Sequence, residues 1–501
     1  MGRKKGVILS YVLMIFEVLS TLLLTPLIIR SLGSAEYGVY KLFASIVTYL
    51  TLLDLGIGNS IIRYAAKYKA TNDEDNMNRF VGDAQCFYAI MALVALLIGA
   101  VLVVIFPTVF ATGLSESEIA LGQTLLEITV INTAVTLFTA VYPNIIIGYG
   151  LFSVSKGLSI VQIIIRIIVT YVALLLGFRS IAIVTINMCL TVLCRGVMAA
   201  YTYLKLKIKP KLKGVDKAFV SEIVGYSFWI LLQMIATQIN AYADQVLLGM
   251  FVTGASAVIA VYSIGTQIVQ YYQSIGSAVS GVLMPGVVSM VERGASAEQL
   301  ENEMVRIGRM SLAVLAAIFG GFMLYGKQFI LLWAGEEYSN GFAVAAILMF
   351  AQMIIYIESI GTQILWAKNE HKEQSILKIA IVLLNIILAI ALIKWNALIG
   401  ATIGTFISLM LGDVIVMNIV FRKKIGIKLG RYYKKLINGI IPAVLLATTV
   451  NFFFKQIGLN GWGGFLINIC VYVVTLGLLY VIFGLNANEK DLLKKILKIQ
   501  R

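Results

Sequence analysis

The chain of 501 residues holds one histidine, His371, and four cysteines. A single histidine excludes a histidine metal cluster. Cys86, Cys189, Cys194 and Cys470 all lie inside apolar segments without CxxC or metal-ligand spacing, so they read as packing residues. Acidic residues are also scarce, 25 against 40 Lys and Arg, giving a net charge of +15. Such a balance would suit nucleic acid, but connections between apolar runs reach only about 20 residues, too short for a soluble domain that could hold a nucleic-acid site.

Apolar length is abundant. About fourteen stretches, beginning near positions 8, 39, 84, 121, 158, 181, 221, 255, 310, 342, 376, 397, 436 and 465, are each long enough to cross about 30 Å of hydrocarbon. The expected fold class is an all-α polytopic membrane protein. The first run is too long for a signal peptide and no small-residue cleavage site follows it, so it is expected to remain as the first helix.

Lys and Arg alternate with these spans. One side of the membrane receives 32 of them and the other receives six: Arg30, Lys41, Arg179, Lys327, Lys394 and Lys455. Positive charge marks the cytoplasmic side, so both termini are expected there, in a cytoplasmic membrane whose anionic headgroups face the basic loops. Trp333, Trp366, Trp395 and Trp462 fall at span ends, where interfacial anchors belong.

A shift of 222 positions lays residues 34–49 on 256–271 with seven of sixteen identical, among them Val39/Val261, Tyr40/Tyr262 and Tyr49/Tyr271. Both segments join the first two spans of a six-span unit, and six spans return the chain to its starting side. The halves are therefore expected to be parallel repeats enclosing a central cavity. The expected organisation is an N-terminal six-helix lobe over 1–204, a basic cytoplasmic linker over 205–217, a C-terminal six-helix lobe over 218–420, helices 13 and 14 over 421–483, and an amphipathic tail over 484–501. The lysines of the linker read first as a plain linker held by positive-inside charge, and second as a site for a phosphorylated lipid or a partner enzyme of polymer assembly.

Ionisable groups within spans are costly and usually face a cavity or one another. Glu17, mid-depth in span 1, fits a proton or cation site or a partner for a buried arginine. Arg166 is central in span 5 within an isoleucine run, and Arg195 lies in the inner half of span 6. Asp244 follows Gln233, Thr237 and Asn240 along one face of span 7, as a helix lining water or another polar helix would. Asp54 and Arg63 bracket Gly56 and Gly58, glycines that permit local unwinding or close packing at an inner gate. Glu127, Glu358 and Asp413 lie near span ends and are assigned interfacial or structural roles.

Pro26 to Tyr40 (PLIIRSLGSAEYGVY), followed by Leu53-Asp54-Leu55-Gly56 and Ile62-Arg63, resembles the N-terminal signature of polysaccharide-transport, or Wzx-type, oligosaccharide flippases. Their superfamily includes multidrug and toxic-compound extruders and lipid II flippases. Tyr262 and the Met284-Pro285 step extend the likeness. The resemblance implies two six-helix lobes, two added helices, and a cargo of lipid-linked oligosaccharide, usually on undecaprenyl pyrophosphate. It carries over to Arg30 and to Asp54 through Arg63; Glu17, Arg166, Arg195 and Asp244 rest on the residue arguments alone.

The expected function is therefore a non-enzymatic flippase working by alternating access for cell-surface polysaccharide. Arg30, Arg63, Arg166 and Arg195 would meet the phosphates, Glu17 and Asp244 would supply ion coupling, and neither cofactor nor metal is required. A cation-coupled drug extruder would favour acidic, aromatic cavity walls. A membrane polymerase would need a larger outer loop or an exposed acidic catalytic motif than this chain has.

Overall fold

The computed structural model describes residues 2–211, 217–368, 370–486 and 489–490, and among them there is no strand. Residues 212–216 of the basic linker, most of the tail, and the side chains of Gln233, Met284 and Pro285 lie outside the described residues. Two compact units are present, Met1–Ala260 and Val261–Arg501.

The first unit contains α1 (Gly2–Leu50), α2 (Ile57–Thr71), α3 (Glu74–Phe110), α4 (Glu116–Phe138), α5 (Val141–Gly148), α6 (Phe152–Leu175), α7 (Ser180–Leu204) and α8 (Lys217–Phe251). Next comes α9 (Ala255–Glu292), in which the unit boundary falls. The second unit continues with α10 (Ala297–Trp333), α11 (Gly341–Ile357), α12 (Ser359–Ala367), α13 (His371–Ile393), α14 (Ala397–Leu409) and α15 (Met417–Lys424). It ends with α16 (Leu429–Ile437), α17 (Ile440–Lys455) and α18 (Gly461–Leu479).

Among the described residues nine helices are long and apolar enough to cross a membrane, or up to eleven if each bent pair counts as one span. The first of these, Val12–Thr71, has 60 residues and would extend about 90 Å as one straight helix, far beyond a single crossing. It is broken at Gly33 (φ 75°) and again at Leu55 and Gly56, both left-handed. The result is compatible with the fourteen crossings read from the sequence.

Packing follows membrane rules: small residues face inward and large apolar ones outward. On α3, Ala92, Ala95 and Gly99 are buried, whereas Leu93, Leu97, Val101 and Val104 are exposed. A Cβ at Gly99 would collide with Val130 of α4. In the second unit Gly404 of α14 brings that helix against Ala389 of α13, where a Cβ would come 2.9 Å from the Ala389 nitrogen. Such helices bury little of their large side chains against one another, so lipid must cover the rest.

Helix ends obey ordinary capping chemistry. Ser115 and Glu118 form a reciprocal capping box at α4, as do Ser296 and Gln299 at α10. Two spans of the second unit are bent: α11 meets α12 at 42° and α16 meets α17 at 41°. Between α14 and α15, residues Met410–Val416 form a π-helical segment carrying Asp413.

Candidate substrate cavity in the first unit

Helix α4 presents Thr129, Asn132, Thr133 and Thr136 at the i, i+3, i+4, i+7 spacing of a single helical face. That stripe forms one wall of a cavity of about 440 Å³. Helix α1 supplies Ser20, Thr21, Thr25, Tyr40, Lys41 and Thr48, and the turn after it Thr51; α6 adds Arg166 and Thr170, and α7 adds Asn187. The threonines are tolerated inside an apolar bundle because their hydroxyls donate to the carbonyl one turn back. Thr129 reaches Leu125 at 2.8 Å, Thr133 reaches Thr129 at 2.9 Å and Thr136 reaches Asn132 at 2.8 Å. Each keeps lone pairs for a ligand. The Asn132 Oδ1 and Thr170 Oγ1 atoms are buried without a hydrogen-bond partner, and both residues line this space.

Two cations enter the cavity. Arg166 is half-buried, and its Nη2 donates to Ser20 Oγ at 3.3 Å; among the described residues it forms no ion pair. Lys41 stands 5.3 Å above the ring of Tyr37, a cation–π contact that steadies the ammonium within the helix. Reasoning from sequence missed Lys41, assigning it to an outer connection. Its position is set by α1 resuming directly after the Gly33 break. The threonine stripe was also missed, although its period is visible in the sequence.

An adjoining cavity of about 400 Å³ shares Thr51, Thr133 and Thr136 with the first. Asp54, Lys156, Gln162 and Arg195 line it. Tyr88 of α3 donates to Asp54 Oδ1 at 2.8 Å, and the charges of Asp54 and Arg195 act on one another and on Tyr88. Asp54 is thus held by a tyrosine and opposed by an arginine.

The structure therefore brings Arg166, Arg195 and Asp54 to two adjoining cavities, together with Lys41 and Lys156. It does not bring the other candidates there. Glu17 is exposed and lines neither cavity, although it lies one turn before Ser20; its carbonyl accepts from Thr21 at 2.9 Å. Arg30 is exposed outside both. Arg63 is exposed, with its guanidinium 5.1 Å from the centre of the Tyr64 ring. Asp244 is 3% exposed, lies close enough to act on Tyr49, and lines neither cavity. Its neighbour Gln245 accepts a hydrogen bond from Ser45 of α1. Gly56 allows the left-handed break before α2, and Gly58 lets α2 approach α5, where a Cβ would come 2.8 Å from the Asn144 amide.

An apolar groove of about 690 Å³ runs along α10 and α18 in the second unit, between residues such as Ile318, Phe322, Phe465 and Val473.

A family model described as polysaccharide biosynthesis protein matches residues 4–292, more than half of the chain. The uncharacterized membrane protein EpsK of Bacillus subtilis (strain 168) is 20% identical over 485 residues, covering 92% of this chain and 90% of that protein. Among solved structures, a lipid II flippase MurJ in an inward closed conformation superposes with a TM-score of 0.75 at 15% identity, covering 95% of this chain and 98% of that one. An inward-facing multidrug resistance MATE family transporter superposes with a TM-score of 0.69 at 15% identity, covering 81% of this chain and 94% of that one. With its many membrane-spanning helices, its flippase-like fold and the match over its first 292 residues, the chain belongs to the polysaccharide biosynthesis protein family.

Proposed function

We propose that this protein flips a polyprenyl-(pyro)phosphate-linked oligosaccharide across the cytoplasmic membrane by alternating access, with both termini on the cytoplasmic side. The observation that carries the reading is the first-unit cavity: two cations, Lys41 and Arg166, set in a wall of threonine and asparagine. Guanidinium groups bind phosphate through a planar fork, and hydroxyl and amide groups match the hydroxyls of a sugar. The adjoining cavity with Lys156 and Arg195 would give the phosphates a second cationic station. In the second unit, the groove on α10 and α18 is apolar enough to hold a lipid chain.

The energetics agree in sign. Two uncompensated negative charges moving outward, down an inside-negative potential, would gain about 4.6 kcal/mol per 100 mV. Membrane potential alone therefore suffices to bias export, and Glu17 and Asp244 would supply ion coupling. A cation-coupled drug extruder, which would favour acidic cavity walls, is less well supported, because the charged groups lining the first cavity are cations.

The test is made in cells whose surface polymer depends on this protein. Arg166→Ala, at parental abundance, is expected to abolish polymer export and to accumulate lipid-linked oligosaccharide in the inner leaflet. Arg166→Lys should restore only part, because the fork is lost. Normal export by well-expressed Arg166→Ala would overturn the reading.

A further inference from the structure

A buried acid sits where a span of the second unit bends. Glu358 ends α11 and begins α12 and is 2% exposed, so of the interfacial and structural roles its position in sequence allowed, burial fits the structural one. Its Oε1 accepts from the Tyr433 hydroxyl and from Asn418 Nδ2, the latter at 3.0 Å; its Oε2 is buried with no partner. Tyr433 belongs to α16, and the preceding Tyr432 donates to the Ile357 carbonyl at 2.9 Å. Two consecutive tyrosines of a short basic helix thus grip two consecutive residues at the break.

Asp413, whose charge acts on Glu358, and the charged groups of α10, α15 and α16 have other partners or are exposed. Asp413 pairs with Lys378, Glu301 of α10 with Arg431 of α16, Arg309 of α10 with Glu489, and Lys424 of α15 with Glu370. Arg422 and Lys423 of α15 and Lys434 of α16 are exposed. Among the described residues Glu358 makes no ion pair. An ionised carboxylate in that setting is strongly disfavoured, whereas a proton on Oε2 neutralises the acid and leaves Oε1 to keep both accepted bonds.

We propose that Glu358 is a proton-binding site and that the proton it holds latches α16 onto the α11–α12 break. Loss of the proton to water leaves a buried anion, which is relieved when α16 turns away about Asn438 and Gly439 (φ 80°) and water enters. The latched form binds more protons than the open form, so raising the pH opens it and lowering the pH closes it. The proposal goes beyond the transport reading and needs no knowledge of the cargo.

The experiment uses full-length protein in nanodiscs with the four native cysteines replaced by serine. Ile427, 2% exposed just before α16, becomes the reporter as Ile427→Cys, and exposed Lys434→Cys corrects for thiol reactivity. Between about pH 5 and about pH 9, the ratio of their maleimide labelling rates should rise by up to about tenfold per pH unit through the transition, as for one linked proton. Glu358→Gln, which mimics the protonated acid, should hold the ratio at its low-pH value throughout. Tyr433→Phe removes a bond that the latched form keeps in both protonation states, so its ratio should exceed the parental one already at about pH 5. A flat ratio in the parent, a parental rise in Glu358→Gln, or a parental ratio at about pH 5 in Tyr433→Phe would overturn the proposal. None of these outcomes bears on whether the protein exports an oligosaccharide, and loss of export leaves the labelling result standing.

Discussion

Arg309 and Arg166 both lie within helices, yet their surroundings assign them opposite work. Arg309 is 4% exposed and fully engaged: it holds Glu489 through two bonds of 2.8 and 2.9 Å and donates to the carbonyls of Lys435, Asn438 and Gly484. Removing such a partner strands a half-buried carboxylate and several helix-end carbonyls, so Arg309→Ala should cost about 3 kcal/mol of stability, read by thermal unfolding in detergent. Arg166 has one long bond to a serine, and Arg166→Ala should unfold close to the parental temperature. Glu489 adds a pH signature. Burial raises its carboxyl, but the hydrogen bonds from Arg309 and the Asn486 backbone, with the charge of Arg309, hold it below the ordinary carboxylate value. Its contribution is present above the unfolded value of about 4.3 and fades as pH falls through the lower folded one. The stability difference between parent and Glu489→Gln should therefore shrink below about pH 4; a difference that stays constant to lower pH would show that Glu489 is not the titrating group.

Helix breaks and small-residue seams organise the elements. Gly33 at φ 75° divides α1, so Gly33→Ala should cost about 1 kcal/mol from backbone strain alone, with space around it unchanged. Gly99→Leu should cost more, about 1 to 3 kcal/mol, because Val130 fills the place the new side chain needs. Equal losses for the two substitutions, measured by unfolding, would contradict this assignment. The spans, the break at Gly56 and the place of Arg166 within a helix were legible in the sequence because each is a local property: apolar length, a residue free to take positive φ, a charge flanked by isoleucine. The cavity was not, since its walls come from α1, α4, α6 and α7 and its polar faces look like ordinary threonines until those helices are brought together. The contacts of Glu358 were hidden for the same reason, as its partners lie 60 and 75 residues further along the chain.

At the scale of the whole molecule, the account requires a fixed topology and a cavity that carries charge across it. Cysteine at position 30 should react with an impermeant thiol reagent from outside the cell, and cysteine at position 63 only from inside; labelling of both from one side would overturn the orientation drawn from Lys and Arg placement. The most direct measurement is movement of a polyprenyl-pyrophosphate oligosaccharide across proteoliposomes holding purified protein under an imposed potassium diffusion potential. The account predicts flipping that is accelerated when the receiving side is positive, is nearly lost in stably folded Arg166→Ala, and is partly regained in Arg166→Lys. Flipping by Arg166→Ala at the parental rate would contradict it.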